Sequence, residues 1–189
     1  MQSNESIIND IIALELEMFL AVNAKEPAAC QDNPERFKDM RKAQFWPWSK
    51  ETLESYLQDL KDAVRAGKNL FTLKYARMDN LIPRLNLNPA VSGIAEAQLL
   101  WQRMLAEEYP KTVGRGRSLE DGDEKLGGGS FLVYATSELE TYSDRTLDLL
   151  GQDVLRHFEA KTNMSRIVYE KMVSDLGYAS LDEAEALAR

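Results

Sequence analysis

Apolar residues recur along this chain at intervals of three and four, the period of one face of an α-helix, while strand signals are weak. The pattern predicts a first helix over about 6–22, with Ile8, Ile11, Ile12, Met18, Phe19 and Val22 on one face. Asn33 followed by Pro34 reads as an N-cap with proline in the first turn, opening a second helix that ends near Phe45, before Pro47. Ser49 caps a third helix, whose stripe is Leu53, Tyr56, Leu57, Leu60 and Val64 and which Gly67 stops. Asn69 caps a fourth, through about Asn80, and 81–89 is a connector. Asn88-Pro89 restarts a long helix to about Tyr109, and 110–129 reads as an irregular loop containing GRGR and GGG. Helices resume over 130–142, 144–160 and 163–176; Gly177 ends the last, and Ser180 with Glu183 forms a capping box for a short C-terminal helix.

The second half of this pattern repeats the first. Residues 49–78 align on 143–172 without a gap: Ser49 meets Ser143, Thr52 meets Thr146, Leu53 meets Leu147, Gln58-Asp59 meet Gln152-Asp153, and Ala66 meets Ala160. Asn69, Tyr75 and Met78 then meet Asn163, Tyr169 and Met172, far more identities than the about two that chance supplies. In the first and fifth helices, 14–18 is set over 100–104. The expected fold is all-α: a helical array of two pseudo-symmetric repeats, about 6–80 and 90–176, with eight or nine helices in one domain spanning 1–189.

Charge and composition then narrow the partners. A net charge of −8 argues against nucleic acid or an anionic membrane surface, both of which need clustered Lys and Arg. With no long apolar run and a single cysteine, Cys30, the chain reads as soluble and cytoplasmic.

Candidate chemistry lies where the helical pattern is broken. The apolar stripe of the first helix is centred almost on Glu15; Lys74 falls among Leu70, Phe71 and Met78; Glu138 flanks Ala135, Leu139 and Tyr142. Gln44 shares a face with Phe37 and Met40, and Gln98 interrupts the fifth helix between Ile94 and Trp101. A buried carboxylate must be paired, protonated or metal-bound. These residues therefore either converge on a pocket between the halves or form ion pairs, such as Glu15 with Lys74, that fix helix packing.

Other features carry less. Cys30 precedes a helix but would need the only histidine, His157, to form a nucleophilic pair, so Cys30 reads as a small buried residue and His157 as an ordinary helix-surface one. One histidine nearly excludes a histidine-ligated metal, and Glu15, Asp32 and Glu138 show no metal-ligand spacing, so no metal is assigned and no cofactor is implied. Arg115 and Arg117 among glycines could grip an anion in two-pronged fashion, or sit in a plain surface loop. Trp46-Pro47-Trp48 reads as a packed corner.

The segments AACQDNPERFKDMRKAQFWPWSKETLESYLQDL (28–60), GKNLFTLKYARMDN (67–80), YPKTVGRGR (109–117), SELETYSDRTL (137–147) and LGYASLDEAE (176–185) resemble an uncharacterised bacterial family, the domain of unknown function numbered 4125. The likeness covers nearly the whole chain in order. It implies no activity or cofactor, and hints only at association with nucleotidyltransferase-like domains. The motif residues it implies are Glu15, Asn23, Cys30, Gln31, Asp32, Arg41, Gln44, Lys74, Tyr75, Arg77, Arg115, Arg117, Glu138 and Tyr142. The acidic, glycine-rich stretch 118–130 departs from the family pattern.

Two functional readings follow. In the first, a small-molecule enzyme or binding protein holds an anionic ligand between the repeats. Glu15 or Glu138 is the base, Lys74 and Tyr75 the acid or anion stabiliser, and Gln31, Asp32, Arg41, Gln44, Arg115, Arg117 and Tyr142 bind the ligand. In the second, the chain is a regulatory module that holds a partner protein on a helical surface.

Overall fold

The computed structural model describes residues 2–22, 33–114, 116–119 and 129–188. Among them are ten helices and no strand: α1 Asn4–Leu20, α2 Pro34–Phe45, α3 Lys50–Arg65, α4 Leu70–Met78, α5 Ala90–Glu108, α6 Pro110–Val113, α7 Phe131–Leu139, α8 Asp144–Glu159, α9 Met164–Asp175 and α10 Leu181–Leu187. The all-α class is as expected, with α6 falling in a stretch read as irregular. Short polar caps set most of the starts. Asn33, Ser49, Asn69, Ser130, Ser143, Asn163 and Ser180 each accept a backbone N–H three residues on. Gly67 closes α3 at φ +65°, a left-handed turn that costs glycine nothing.

The two long helices α1 and α5 each gather neighbours around them, α5 also touching the adjoining α6. α1 packs on α2, α3 and α4, and α5 packs on α7, α8 and α9. Three further contacts join these groups: α3 on α8, α2 on α9 and α4 on α7. Ile7, Ile8, Ile11, Phe45, Leu53, Leu60, Val91, Leu147 and Leu150 form the innermost layer. A smaller apolar cluster of Leu105, Tyr109, Val113, Val173, Leu181 and Ala184 fastens α6 and α10 to the end of α5 and α9. There the Glu185 carboxylate accepts the Lys111 and Thr112 N–H groups at the start of α6, at 2.9 and 2.7 Å.

Reciprocal polar contacts lock α3 to α8. Asp153 on α8 accepts the Ser49 N–H (2.9 Å) and the Thr52 hydroxyl (2.7 Å) at the start of α3. Asp59 on α3 accepts the Ser143 N–H (3.0 Å) at the start of α8. The connector 79–89 is held by the buried Glu140, which accepts from Arg77, Arg84 and the Leu85 N–H.

The alignment of 14–18 on 100–104 needs correction. Leu100 and Met104 are exposed, whereas Met18 is buried, so they cannot occupy matching places. Burial instead sets Ile8, Ile11, Ile12, Met18 and Phe19 against Val91, Ile94, Ala95, Trp101 and Gln102. The caps agree: the Asn69 amide donates to the Met18 carbonyl (2.7 Å), and the Asn163 amide to the Trp101 carbonyl (3.1 Å). Gln98 thereby falls opposite Glu15. Helix ends also shift slightly: α4 stops at Met78 and α7 at Leu139, with Tyr142 in the turn that follows.

Candidate functional site

The polar residues on apolar faces meet in one buried network. α1 brings Glu15 into the core, and α2 brings Arg41 against it: Nε donates to Oε2 at 2.7 Å and Nη2 to Oε1. The remaining arm of Arg41, Nη1, donates to Glu138 Oε1 on α7 (2.9 Å) and to Gln44 Oε1 (2.7 Å). Lys74 on α4 donates to Glu138 Oε2. Tyr56 donates to Glu15 (2.7 Å), and Tyr142 (2.9 Å) and the Gln44 amide (3.2 Å) donate to Glu138. Glu15 therefore pairs with Arg41, not with Lys74 as the sequence suggested. The Arg41 fork from α2 takes both oxygens of Glu15, and Lys74 meets Glu138 across the contact of α4 with α7.

Burial and charge oppose each other throughout this network. Burial works to raise the Glu138 carboxyl, but Arg41 and Lys74 outweigh it and hold it well below the usual carboxylate range. Burial would pull Arg41 down, yet Glu138 and Glu15 hold it well above its ordinary value. Lys74 goes the other way: burial pushes it down, and Glu138 offsets only part of that. Burial raises Tyr56 and Tyr142 far above the free phenol, so both stay donors. Lys74 Nζ also lies 3.5 Å from the centre of the Tyr134 ring, a close cation–π contact.

Beside the network lies a cavity of about 200 Å³, framed by α2, α5, α7 and α9 and mainly apolar. Glu138, Gln44 and Tyr142 form the wall it shares with the network, and Trp48, Tyr134 and Phe131 supply aromatic surface. Gln98 lines it too, and among the described residues its side-chain amide makes no hydrogen bond. Gln102 opposite is already bound to the Tyr169 hydroxyl at 3.0 Å.

Of the residues singled out from sequence, Gln44, Arg117, Glu138 and Tyr142 line this cavity. Glu15, Arg41 and Lys74 lie behind the wall. Tyr75 is half-buried with its ring 5.9 Å from Lys74 Nζ and takes no place in the cavity lining. Arg117 donates to the Gly129 carbonyl (3.0 Å) and lies over the Tyr134 ring. Gln31, Asp32 and Arg115, with Asn23 and Cys30, lie outside the described residues. Trp48 packs as expected, whereas Trp46 is half exposed under Lys171. Tyr56 and Tyr134 were missed. Tyr56 sat in an apolar stripe that gave no sign of its hydroxyl's partner. Among the described residues no cluster of His, Cys, Asp and Glu is fit to hold a metal, and no helix is long and apolar enough to cross a membrane.

Fold and site together define an all-helical protein with a closed, buried charge network forming one wall of an apolar cavity. The chain matches the family model described as "Protein of unknown function (DUF4125)" over residues 5–186 and belongs to that family. No curated protein and no solved structure matches it.

Proposed function

We propose that this protein binds a small, largely apolar molecule in the cavity between α2, α5, α7 and α9, and that the charge network is the rigid wall of that cavity rather than acid–base machinery. The observation that supports this is how firmly Glu138 is held as a carboxylate. Its Oε1 accepts from Arg41, Gln44 and Tyr142 and its Oε2 from Lys74, and the two buried cations keep its carboxyl well below the usual range, where it is a poor proton acceptor. Glu15 and Glu138 also balance Arg41 and Lys74, so the wall presents no net charge. Arg117 is already engaged by Gly129 and Tyr134. The arrangement thus favours a neutral ligand over an anionic one. A reducing cytoplasm, inferred from the lone Cys30, is the setting this reading assumes.

The test is a thermal-shift screen of small neutral aromatic compounds on the full chain and on Ala135→Phe. Ala135 is buried and lines the cavity, so the larger ring fills it. Compounds that raise the Tm of the parent protein and not of the variant support the reading, since ligand binding to the folded state stabilises it. No stabilising compound, or shifts that survive in Ala135→Phe, would sink it. A partner-dependent change in mass by light scattering, with no ligand effect, would instead favour the interaction module.

A further inference from the structure

Resting on the reading that the cavity binds a small molecule, we propose that its ligand is a planar, uncharged heteroaromatic ring with a lactam-type edge, stacked on Phe131 and hydrogen-bonded by Gln98. The inference comes from setting the cavity against its counterpart in the other half of the chain. α1 holds α2, α3 and α4 as α5 holds α7, α8 and α9, and α2 lies on α9 as α7 lies on α4. The ungapped match of 49–78 on 143–172, carried back through α2 and α7, sets Phe37 opposite Phe131 and Arg41 opposite Ala135. The same match sets Phe71 opposite Ser165 and Lys74 opposite Val168. Burial sets Glu15 opposite Gln98 and Phe19 opposite Gln102.

In the first half this space is full. Phe19 stacks on Phe37 with ring centres 4.6 Å apart and planes 9° from parallel, and Phe71 tilts against both. Arg41 reaches across to Glu15, its guanidinium 4.7 Å from the centre of the Phe45 ring. In the second half each filler is gone. Gln102 stands for Phe19 and is drawn to Tyr169, Ser165 stands for Phe71, and Ala135 stands for Arg41. Gln98, Gln102, Phe131, Ala135, Ser165 and Val168 all line the cavity. The cavity is therefore the place from which two rings and a cation are missing.

What remains describes the occupant. Phe131 stacks on no other ring among the described residues, so it offers the platform that Phe37 gives to Phe19. Gln98 replaces the carboxylate of Glu15 with an amide, which asks for no cation and presents an acceptor beside a donor. The complement of that edge is a ring C=O next to a ring N–H, pairing with the amide twice over. A volume of about 200 Å³ exceeds the ~150 Å³ that admits a benzene ring and suits two small fused rings.

Isothermal titration with isoquinolin-1(2H)-one and its N-methyl analogue tests this on the full chain. The two probes share ring and carbonyl and differ at the donor. The lactam should bind the parent protein about tenfold more tightly, the usual effect of one net hydrogen bond. Gln98→Met, an unbranched substitution of similar length, should erase the preference, and Phe131→Leu should weaken both probes. Equal binding of the two probes by the parent, or a preference that persists in Gln98→Met, overturns the proposed edge. In either case Ala135→Phe would still block both probes, and the cavity reading would stand. Failure of both probes at millimolar concentration overturns the ligand class, and the thermal-shift screen then decides the cavity reading separately. The parent's discrimination between probes needs no variant, so a misfolded Gln98→Met leaves the test intact.

Discussion

Arg41 and Glu15 form a two-pronged ion pair in which the side chains are 5% and 0% exposed, and the same guanidinium reaches Glu138 with its third nitrogen. One cation thus bridges two carboxylates brought from α1 and α7, with Lys74 supplying the second positive charge. Removing it leaves Glu138 to Lys74 and strands Glu15 away from water with no cation, a change that costs about 3–5 kcal/mol. Arg41→Ala should therefore remove a large part of the about 5–15 kcal/mol expected for a domain. Arg41→Lys should recover little, because an ammonium lacks the fork that meets both oxygens of Glu15. Urea unfolding followed by circular dichroism measures this, and a loss under about 1 kcal/mol would show that the network does not hold the helices together.

Acid should act on stability through Glu138. Arg41 and Lys74 hold its carboxyl below the unfolded value of about 4.3, so the unfolded chain binds the proton first. The stabilisation is complete above that value and drains away as pH falls through the lower folded one. Lys74 tilts the alkaline side: burial depresses it in the fold, so stability rises with pH between its folded and unfolded values. Glu138→Gln should lower the Tm at pH 7 and flatten its fall from pH 5 to pH 2. Parallel Tm curves for parent and variant would show that another group carries the acid limb.

The reciprocal contacts between α3 and α8 are unequal. Asp153 is buried and takes the Ser49 N–H and both the Ser49 and Thr52 hydroxyls, while the half-buried Asp59 takes the Ser143 N–H. Asp153→Ala leaves several donors unsatisfied and should cost about 2–3 kcal/mol, against about 0.5–1 for Asp59→Ala. Equal losses in denaturant midpoint would mean that helix capping, rather than burial, sets both values.

Lys161 closes α8 at φ +55°, where Gly67 closes α3 at φ +65°. Both make the same paired bonds back into their helix: Lys161 N–H to Phe158 and Thr162 N–H to His157, as Gly67 to Val64 and Lys68 to Ala63. A side chain in this left-handed turn costs about 1–2 kcal/mol that glycine avoids. Lys161→Gly should raise stability by about 1 kcal/mol, less any gain in unfolded-chain entropy. An unchanged or lowered Tm would show that the lysine side chain contributes more than its strain costs.

These cases also mark how far the sequence could be read. Caps at Ser49, Ser143, Asn69 and Asn163 fall where their side-chain chemistry puts them, because capping is local. Glu15, Lys74 and Glu138 were visible on apolar faces because helical periodicity alone turns them inward. Their pairing was not visible. Arg41 sits in a largely polar helix, and its burial depends on α2 packing on α1 and on the reach of its guanidinium to Glu138 on α7. The register of α5 on α1 failed for a similar reason, since matching letters placed the exposed Leu100 and Met104 over a buried face. Gln98 stood out as an interruption, but the space beside it depends on Ala135 and Ser165, small residues on two other helices.

That space should be convertible into a copy of the filled half. Gln98→Glu places at the cavity the acid that Glu15 supplies on α1, while the guanidinium that lines the same cavity, Arg117, is already engaged by Gly129 and Tyr134. A buried carboxylate without a partner is costly, so the unliganded variant should melt below the parent. Benzamidine offers what is missing: a flat ring to lie on Phe131 and a planar cation that pairs with a carboxylate through two parallel N–H bonds. It should bind the variant at least tenfold, about 1.4 kcal/mol, more tightly than the parent and restore part of the lost Tm. Neutral benzamide, of the same shape, should show no such gain. Titration calorimetry at pH 7 reads the difference directly. If benzamidine binds parent and variant alike, Gln98 does not face the ring site, and the correspondence between Glu15 and Gln98 fails with it.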